Sequence, residues 1–358
     1  MDTLMFVLPV SGGSGGAHSV MQEADAMRDL GINAIIATNH ANVTKLRRAY
    51  RDLKTIHNFV FSYTNPETLG QLIATHKPRC VIATTNQSVH YLADALRAAK
   101  MLDQPTAYYV QDYEPLFYER GSADWHTAYS SFTAIPGMTL FAKTRWLQEV
   151  VAANHNVQVE KVEPSIDHKV YYPNLGSKGE DKRPLAVAAM IRPATPRRSP
   201  RRTARIISRI VKEYAGQVSC TTFGCGMDEM RDFSIRIPGA EHVGILNREE
   251  VGDLFRSTDM FLDLSDFQAF GRTAIEAMSC GSAAIVPAHG GTYEYAIDGK
   301  NCFVVDVRSD EAIMAAFGQW VSMAAEERRA MSFRAIEAGY AYSPDRAALS
   351  ELRVLLEA

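Results

Sequence analysis

The chain has 358 residues and a formal charge of -3, with 41 acidic side chains set against 38 lysines and arginines. That balance supplies no basic face for general nucleic-acid binding, and at roughly 100–200 residues per domain the length suggests two domains, each able to bury a core. Five cysteines, odd in number and without paired spacing, read as buried thiols of a reducing cytoplasm rather than as disulfides or a zinc site.

Leu4 to Val10 is apolar but too short to span a membrane, follows Asp2 rather than a basic leader, and runs into glycines, so it reads as a first strand. A loop, Ser11 to Gly16, leads to a helix over Ala17 to Leu30, where Val20, Met21, Ala24, Met27 and Leu30 recur at helical spacing. Apolar runs at Ala34 to Ala37, Cys80 to Ala83 and Thr106 to Val110 then alternate with helical stretches at Glu67 to Thr75 and Val89 to Met101. Such alternation favours a parallel sheet covered on both faces.

Prolines between Pro164 and Pro173, followed by the polar stretch Asn174 to Lys182, interrupt the pattern as an interdomain linker would. A second series begins with a strand at Leu185 to Met190 and a helix near Thr203 to Tyr214. Strands follow at Val218 to Phe223, Met260 to Leu264, Ala283 to Val286 and Cys302 to Val305. A last helix, Asp345 to Leu356, follows Pro344 and is placed to cross back onto the first domain. The expectation is an α/β chain of two Rossmann-like domains, 1–165 with 341–358 returning to it, and 166–340.

Chemistry concentrates where the second series leaves its Met260 to Leu264 strand. Asp263 is the lone polar residue of that run, and Gly271 opens a helix that Gly281 closes, with Phe270, Arg272 and Thr273 at its start. Free amides and the positive dipole end of such a helix suit a diphosphate. Glu276, further along, is placed to accept hydrogen bonds from a ribose; the alternative is an ordinary surface glutamate. Gly12 to Gly16 form either a ligand-contacting loop or a tight turn, and they make a poor dinucleotide fingerprint because position 18 is His18. Asp112 and Glu114 follow a strand end, where carboxylates either bind acceptor hydroxyls and act as base or make local loop hydrogen bonds. Tyr113, Phe117, Tyr118 and Trp125 surround them, as a sugar-stacking surface or as loop packing. His18, His90 and His126 lack metal-ligand spacing.

This arrangement resembles the GT-B glycosyltransferases, specifically glycosyltransferase family 4, over most of the chain and most strongly from Pro164 to Asp306. Tyr108-Tyr109-Val110-Gln111-Asp112-Tyr113-Glu114-Pro115 further resembles rhamnosyltransferases of bacterial cell-surface polysaccharides. The resemblance implies two Rossmann-like domains across a cleft, a nucleotide-diphosphate sugar as donor substrate, no cofactor or metal, and retention of anomeric configuration. It implies that Gly15 and Gly16 approach the donor. Arg192 and Arg197 fall at the spacing of the family's arginine and lysine and would clamp the diphosphate, with Arg198 competing for the second place; the alternative is a solvated basic turn. Gln268 stands where the family has its first glutamate and Glu276 where it has the second, so Gln268 is a departure: an amide orients a hydroxyl but cannot stabilise positive charge as a carboxylate does. His289 to Asn301 matches a glycine pair, a glutamate and an aspartate-glycine turn, read as architectural.

The expected function is therefore a cytoplasmic glycosyltransferase, with Asp112, Arg192, Arg197 and Gln268 as catalytic candidates. Gly15, Gly16, Arg198, Phe270, Gly271, Arg272, Thr273 and Glu276 would bind the donor, dTDP-rhamnose, and Glu114 and Tyr118 a glycan or lipid-linked glycan acceptor. Contact with the inner membrane or with a larger glycan-assembly complex fits this expectation, and a nucleic-acid partner does not. A nucleotide-sugar 2-epimerase and a non-catalytic nucleotide-sugar-binding subunit are the rival readings.

Overall fold

A computed structural model describes residues 2–10, 12–13, 15–174 and 184–357, so Ser11 and Ser14 of the glycine loop and 175–182 of the linker expectation lie outside the described residues. By its contacts the chain divides into Met1–Ser165 with Tyr342–Ala358, and Ile166–Ala341.

The first unit is built on seven parallel strands: β1 Thr3–Val7, β2 Asn33–Asn39, β3 Val60–Tyr63, β4 Cys80–Ala83, β5 Thr106–Val110, β6 Thr139–Ala142 and β7 Glu160–Lys161, in the order β3-β2-β1-β4-β5-β6-β7. Leu4 to Val7 and all of β4 and β5 are buried, as strands covered on both faces must be. The helix Gly15–Asp29 presses Val20, Met21, Ala24 and Met27 onto this sheet. Leu30, expected to complete that stripe, is instead exposed in the turn before Gly31, whose φ of +88° ends the helix. Asn65 and Thr85 cap the helices Pro66–His76 and Asn86–Ala99 with reciprocal side-chain bonds.

The C-terminal helix Pro344–Glu357 belongs to this unit because Ala348, Leu352 and Leu355, spaced along one stripe, enter its core. The same helix brings Glu351 into a buried site with Glu23, both fully shielded from solvent. Burial pushes the Glu351 carboxyl well above its ordinary range; the neighbouring Glu23 pushes the same way, and Lys143 opposes them. The folded state therefore binds this proton more tightly than the unfolded chain, whose glutamates titrate near 4.5. The stabilisation is complete below that pH and is lost as pH rises toward the folded value, at about 1.4 kcal/mol per pH unit between the two. Glu351→Gln, shaped like the protonated acid, is expected to flatten the fall of the denaturation midpoint from about pH 5 upward. Midpoints measured across that range check it, and a variant curve parallel to wild type would contradict it.

Six parallel strands build the second unit: β8 Leu185–Met190, β9 Val218–Phe223, β10 Glu241–His242, β11 Met260–Leu262, β12 Ala283–Pro287 and β13 Phe303–Val305, in the order β10-β9-β8-β11-β12-β13. The helix Pro200–Glu213 buries Ile206, Ile207 and Ile210 against them. In both units the strand order reverses beside the first strand, the doubly wound pattern that opens a crevice at the strands' carboxyl ends. Among the described residues no helix is long and apolar enough to cross a membrane, and all five cysteines are free and buried.

Candidate active site

In the second unit the order reverses between β8 and β11, and both strands end in polar loops. After β11 the chain runs through Asp263 to Phe270 and enters the helix Arg272–Ser279 on Gly271, with no side chain capping it. Gly271 has φ +83°, and a methyl there would lie 2.5 Å from Tyr295 Oη and 3.0 Å from Thr292 Cγ2. The Tyr295 hydroxyl donates to the Gly271 carbonyl at 3.1 Å, and its ring meets Phe270 edge-on at 5.4 Å. The His289 to Asn301 segment thus fixes where this helix begins and how Phe270 packs.

Glu276 is buried at 5% exposure, one helical turn from Arg272, whose Nε donates to Glu276 Oε1 at 2.8 Å. A second buried pair, Arg248 Nη2 with Asp167 Oδ2 at 2.5 Å, acts on the same carboxyl. Burial raises the Glu276 pKa; Arg272 and Arg248 offset that rise, and Asp167 adds to it. Burial also drives the Tyr171 hydroxyl well above its ordinary range, with the charge of Glu276 contributing. A surface glutamate would have none of this company. The signal for Arg248, Asp167 and Tyr171 was absent from the sequence, because they join the site from a loop and a helix far away along the chain.

Gln268 is 3% exposed, and its side-chain NH2 donates to Asp263 Oδ2 at 2.6 Å and to Ser265 Oγ at 3.1 Å. Asp263 Oδ1 meanwhile accepts from the Ser265 hydroxyl at 2.6 Å. A glutamate at 268 would set two carboxylates against each other in a buried place, so Asp263 explains why an amide stands there. This revises the expected role: both amide protons face the protein, which leaves the Oε1 acceptor as the atom Gln268 can offer a ligand. The lone charge of Asp263 in an apolar run was the sequence signal for this pairing. The backbone is held as well, since the Gly291 amide donates to the Gln268 carbonyl at 2.7 Å.

Arg192 is exposed at the carboxyl end of β8, its Nε 3.7 Å from where a Cβ on Gly224 would stand. Arg197 and Arg198 lie on the short turn Pro196–Arg198. That turn is fastened to the loop after β11: the Asp266 amide donates to the Arg197 carbonyl at 2.8 Å, and Asp266 Oδ1 accepts from Ser199 Oγ at 2.8 Å and Arg202 Nη1 at 2.7 Å. The Arg197 guanidinium also lies 5.7 Å from the centre of the Phe267 ring. Arg192, Arg197, Arg198 and the Gly271 helix are thereby gathered at one end of one sheet, although no sequence signal marked Asp266 as the fastening.

In the first unit, Gly15 and Gly16 open the helix after β1, and Asp112 follows β5 with its Oδ1 accepting from the Tyr113 amide at 2.9 Å. The Glu114 carboxylate is buried and accepts from the Asn86 amide at 3.0 Å and from the Asn86 side chain, holding the positive start of the helix Asn86–Ala99, the local hydrogen bonding weighed as the alternative to acceptor contact. Of the aromatic neighbours, Tyr113 is buried with its hydroxyl 3.1 Å from His155 Nε2, and Trp125 stacks on Tyr129 at 4.6 Å. Burial holds His155 down at about 4, so it is neutral near pH 7. Phe117 and the half-buried Tyr118, 6.4 Å apart, remain toward the surface. Among the described residues no group of three or more His, Cys, Asp or Glu side chains is arranged to hold a metal ion.

The fold is the GT-B architecture: two α/β units of parallel strands, each doubly wound. Residues 239–338 match the model of the family Glycosyl transferases group 1. The chain is 35% identical over 63 residues, 18% of its length, to the mannosylfructose-phosphate synthase of Agrobacterium fabrum, of which 14% is covered. It is 24% identical over 213 residues, 58% of its length, to the O-antigen biosynthesis protein RfbC of Myxococcus xanthus, of which 16% is covered. The chain thus spans only a small part of the length of the curated relatives it matches. Among solved structures, Anabaena Alr3699/HepE in complex with UDP and glucose superposes over 100% of both chains with a TM-score of 0.78 at 16% identity.

Proposed function

We propose that this chain is a glycosyltransferase that binds a nucleotide-diphosphate sugar with its second unit and moves the sugar to a glycan or lipid-linked glycan acceptor. The observation that carries this reading is Glu276, buried beside Arg272 on the helix whose uncapped start opens at the switch point of the sheet. Its Oε2 would take a ribose hydroxyl while Arg272 holds Oε1. The diphosphate would lie at the Gly271 helix start, where Arg192 with Arg197 or Arg198 stabilises the negative charge that grows as the nucleotide departs. Gln268 Oε1 would accept from a sugar hydroxyl. Within the first unit by itself, Gly15, Gly16 and Asp112 would contact substrate, with Tyr118 toward the acceptor.

The finer reading is a retaining, metal-independent transfer of rhamnose from dTDP-rhamnose in cell-surface polysaccharide synthesis, carried out in the cytoplasm at or near the inner membrane or within a larger glycan-assembly complex. The similarity to an O-antigen biosynthesis protein supports the polysaccharide role, and an amide at 268 suits a deoxysugar that asks for fewer hydrogen bonds. The UDP and glucose held by the Anabaena protein make UDP-glucose the donor to compare against.

The phosphate assignment is tested by Arg192→Ala. Losing a charge-assisted hydrogen bond is expected to weaken nucleoside diphosphate binding roughly tenfold or more while leaving nucleoside binding nearly unchanged. Calorimetric titration with both ligands decides it, and an equal loss for the two would remove Arg192 from the diphosphate.

A further inference from the structure

The first unit buries a lysine that the functional reading leaves unused. Lys143 follows β6 and is 5% exposed. Its Nζ donates to Ser19 Oγ at 2.9 Å, on the helix Gly15–Asp29, and to Gln111 Oε1 at 3.4 Å, immediately after β5, and it stands 5.3 Å from the centre of the Tyr109 ring. Gln111 in turn lies against the glycine loop: a methyl on Gly16 would come 3.0 Å from Gln111 Oε1. Gly13, by contrast, has open space where its side chain would be.

Behind Lys143, Glu23 and Glu351 are both fully buried, the Ser165 hydroxyl donates to Glu23 and accepts from Gln22, and the charge of Lys143 acts on Glu351. A buried lysine side chain is tolerated where polar oxygens meet it, as Ser19 Oγ and Gln111 Oε1 do here. Ser19 holds Lys143 Nζ at 2.9 Å, and Gln111 links that position to Gly16.

We propose that Lys143 is a positioning residue that acts through Gln111 to fix the Gly15–Gly16 helix start in the conformation that meets substrate. The inference rests on the glycosyltransferase reading for what the loop does, and on geometry alone for how the loop is held. A methyl on Gly16 would press on the Gln111 amide at 3.0 Å, and Lys143 donates to the oxygen of that amide at 3.4 Å.

The experiment is amide hydrogen exchange over residues 10–20 in wild type, Lys143→Met, Lys143→Arg and Gln111→Leu, with steady-state transfer kinetics on the same proteins. Lys143→Met and Gln111→Leu are expected to speed exchange in this segment about tenfold and to lower kcat with little change in donor KM, and Lys143→Arg to restore most of both. Lys143→Met removes a buried polar group from beside Glu351, so Gln111→Leu, which leaves Lys143 in place, decides the matter if the lysine variant does not fold. A folded Gln111→Leu protein with wild-type exchange over residues 10–20 would overturn the proposal. Should exchange change as expected while no variant and no wild type transfers any sugar, the positioning role stands and the glycosyltransferase reading fails.

Discussion

Glu276→Ala is expected to weaken binding of the nucleotide-sugar donor by roughly ten- to a hundredfold, because a hydrogen bond to a charged group is worth about 1.5–3 kcal/mol. A second consequence is local. Arg272 donates to Glu276 inside a site where both side chains are almost fully shielded, so the variant leaves a guanidinium without its nearest carboxylate. Breaking one half of a buried pair costs about 3–5 kcal/mol, and the thermal midpoint should drop with the affinity. Glu276→Gln separates the effects, since it keeps the shape and an acceptor oxygen while removing the charge. Calorimetry on both variants checks the assignment, and donor affinity unchanged in a folded Glu276→Ala protein would take Glu276 out of the nucleotide site.

Gly290→Ala should be the most disruptive single methyl in the second unit. Gly290 has φ +103° and bridges to Gln268, and a Cβ there would lie 2.1 Å from the Gln268 carbonyl oxygen and 2.8 Å from its nitrogen. Neither neighbour is a flexible side-chain end, so the backbone itself must move. Strained backbone at about 1–3 kcal/mol and overpacking at about 1–3 kcal/mol together give a loss of roughly 2–6 kcal/mol. Gly299→Ala is the comparison, because its φ of +68° carries strain but nothing lies within 4 Å of the added methyl. Denaturation curves of the two variants check the argument: a Gly290→Ala protein no less stable than Gly299→Ala would contradict it.

The two-unit α/β plan was legible from strands that coincide with mostly apolar runs. Cys80–Ala83, Thr106–Val110, Leu185–Met190 and Val218–Phe223 begin and end where the apolar residues do. The short strands Val60–Tyr63, Thr139–Ala142, Glu160–Lys161 and Glu241–His242 were not legible, since two to four residues carry no period and their pairing is decided by neighbours. The site divides in the same manner. Gly271 and Glu276 announce themselves through helix start and spacing. The partners that give Glu276 its charge environment, Arg248 with Asp167 and the Tyr171 hydroxyl, come together only in three dimensions. Glu114 could be read from the sequence either as acceptor contact or as local hydrogen bonding, and the fold bonds it to Asn86. Gln268 looked like a weakened catalytic glutamate until Asp263 was seen across 2.6 Å from its amide.

The central claim, that this chain transfers a sugar from a nucleotide diphosphate, is tested most directly by incubating it with dTDP-rhamnose, UDP-glucose and related donors, with and without glycan acceptors, and identifying the products. The expected result is nucleoside diphosphate released in step with a new glycosidic bond of unchanged anomeric configuration, dependent on acceptor and lost in Glu276→Ala. A free, isomerised sugar released without acceptor, or tight donor binding with no turnover across the panel, would contradict it.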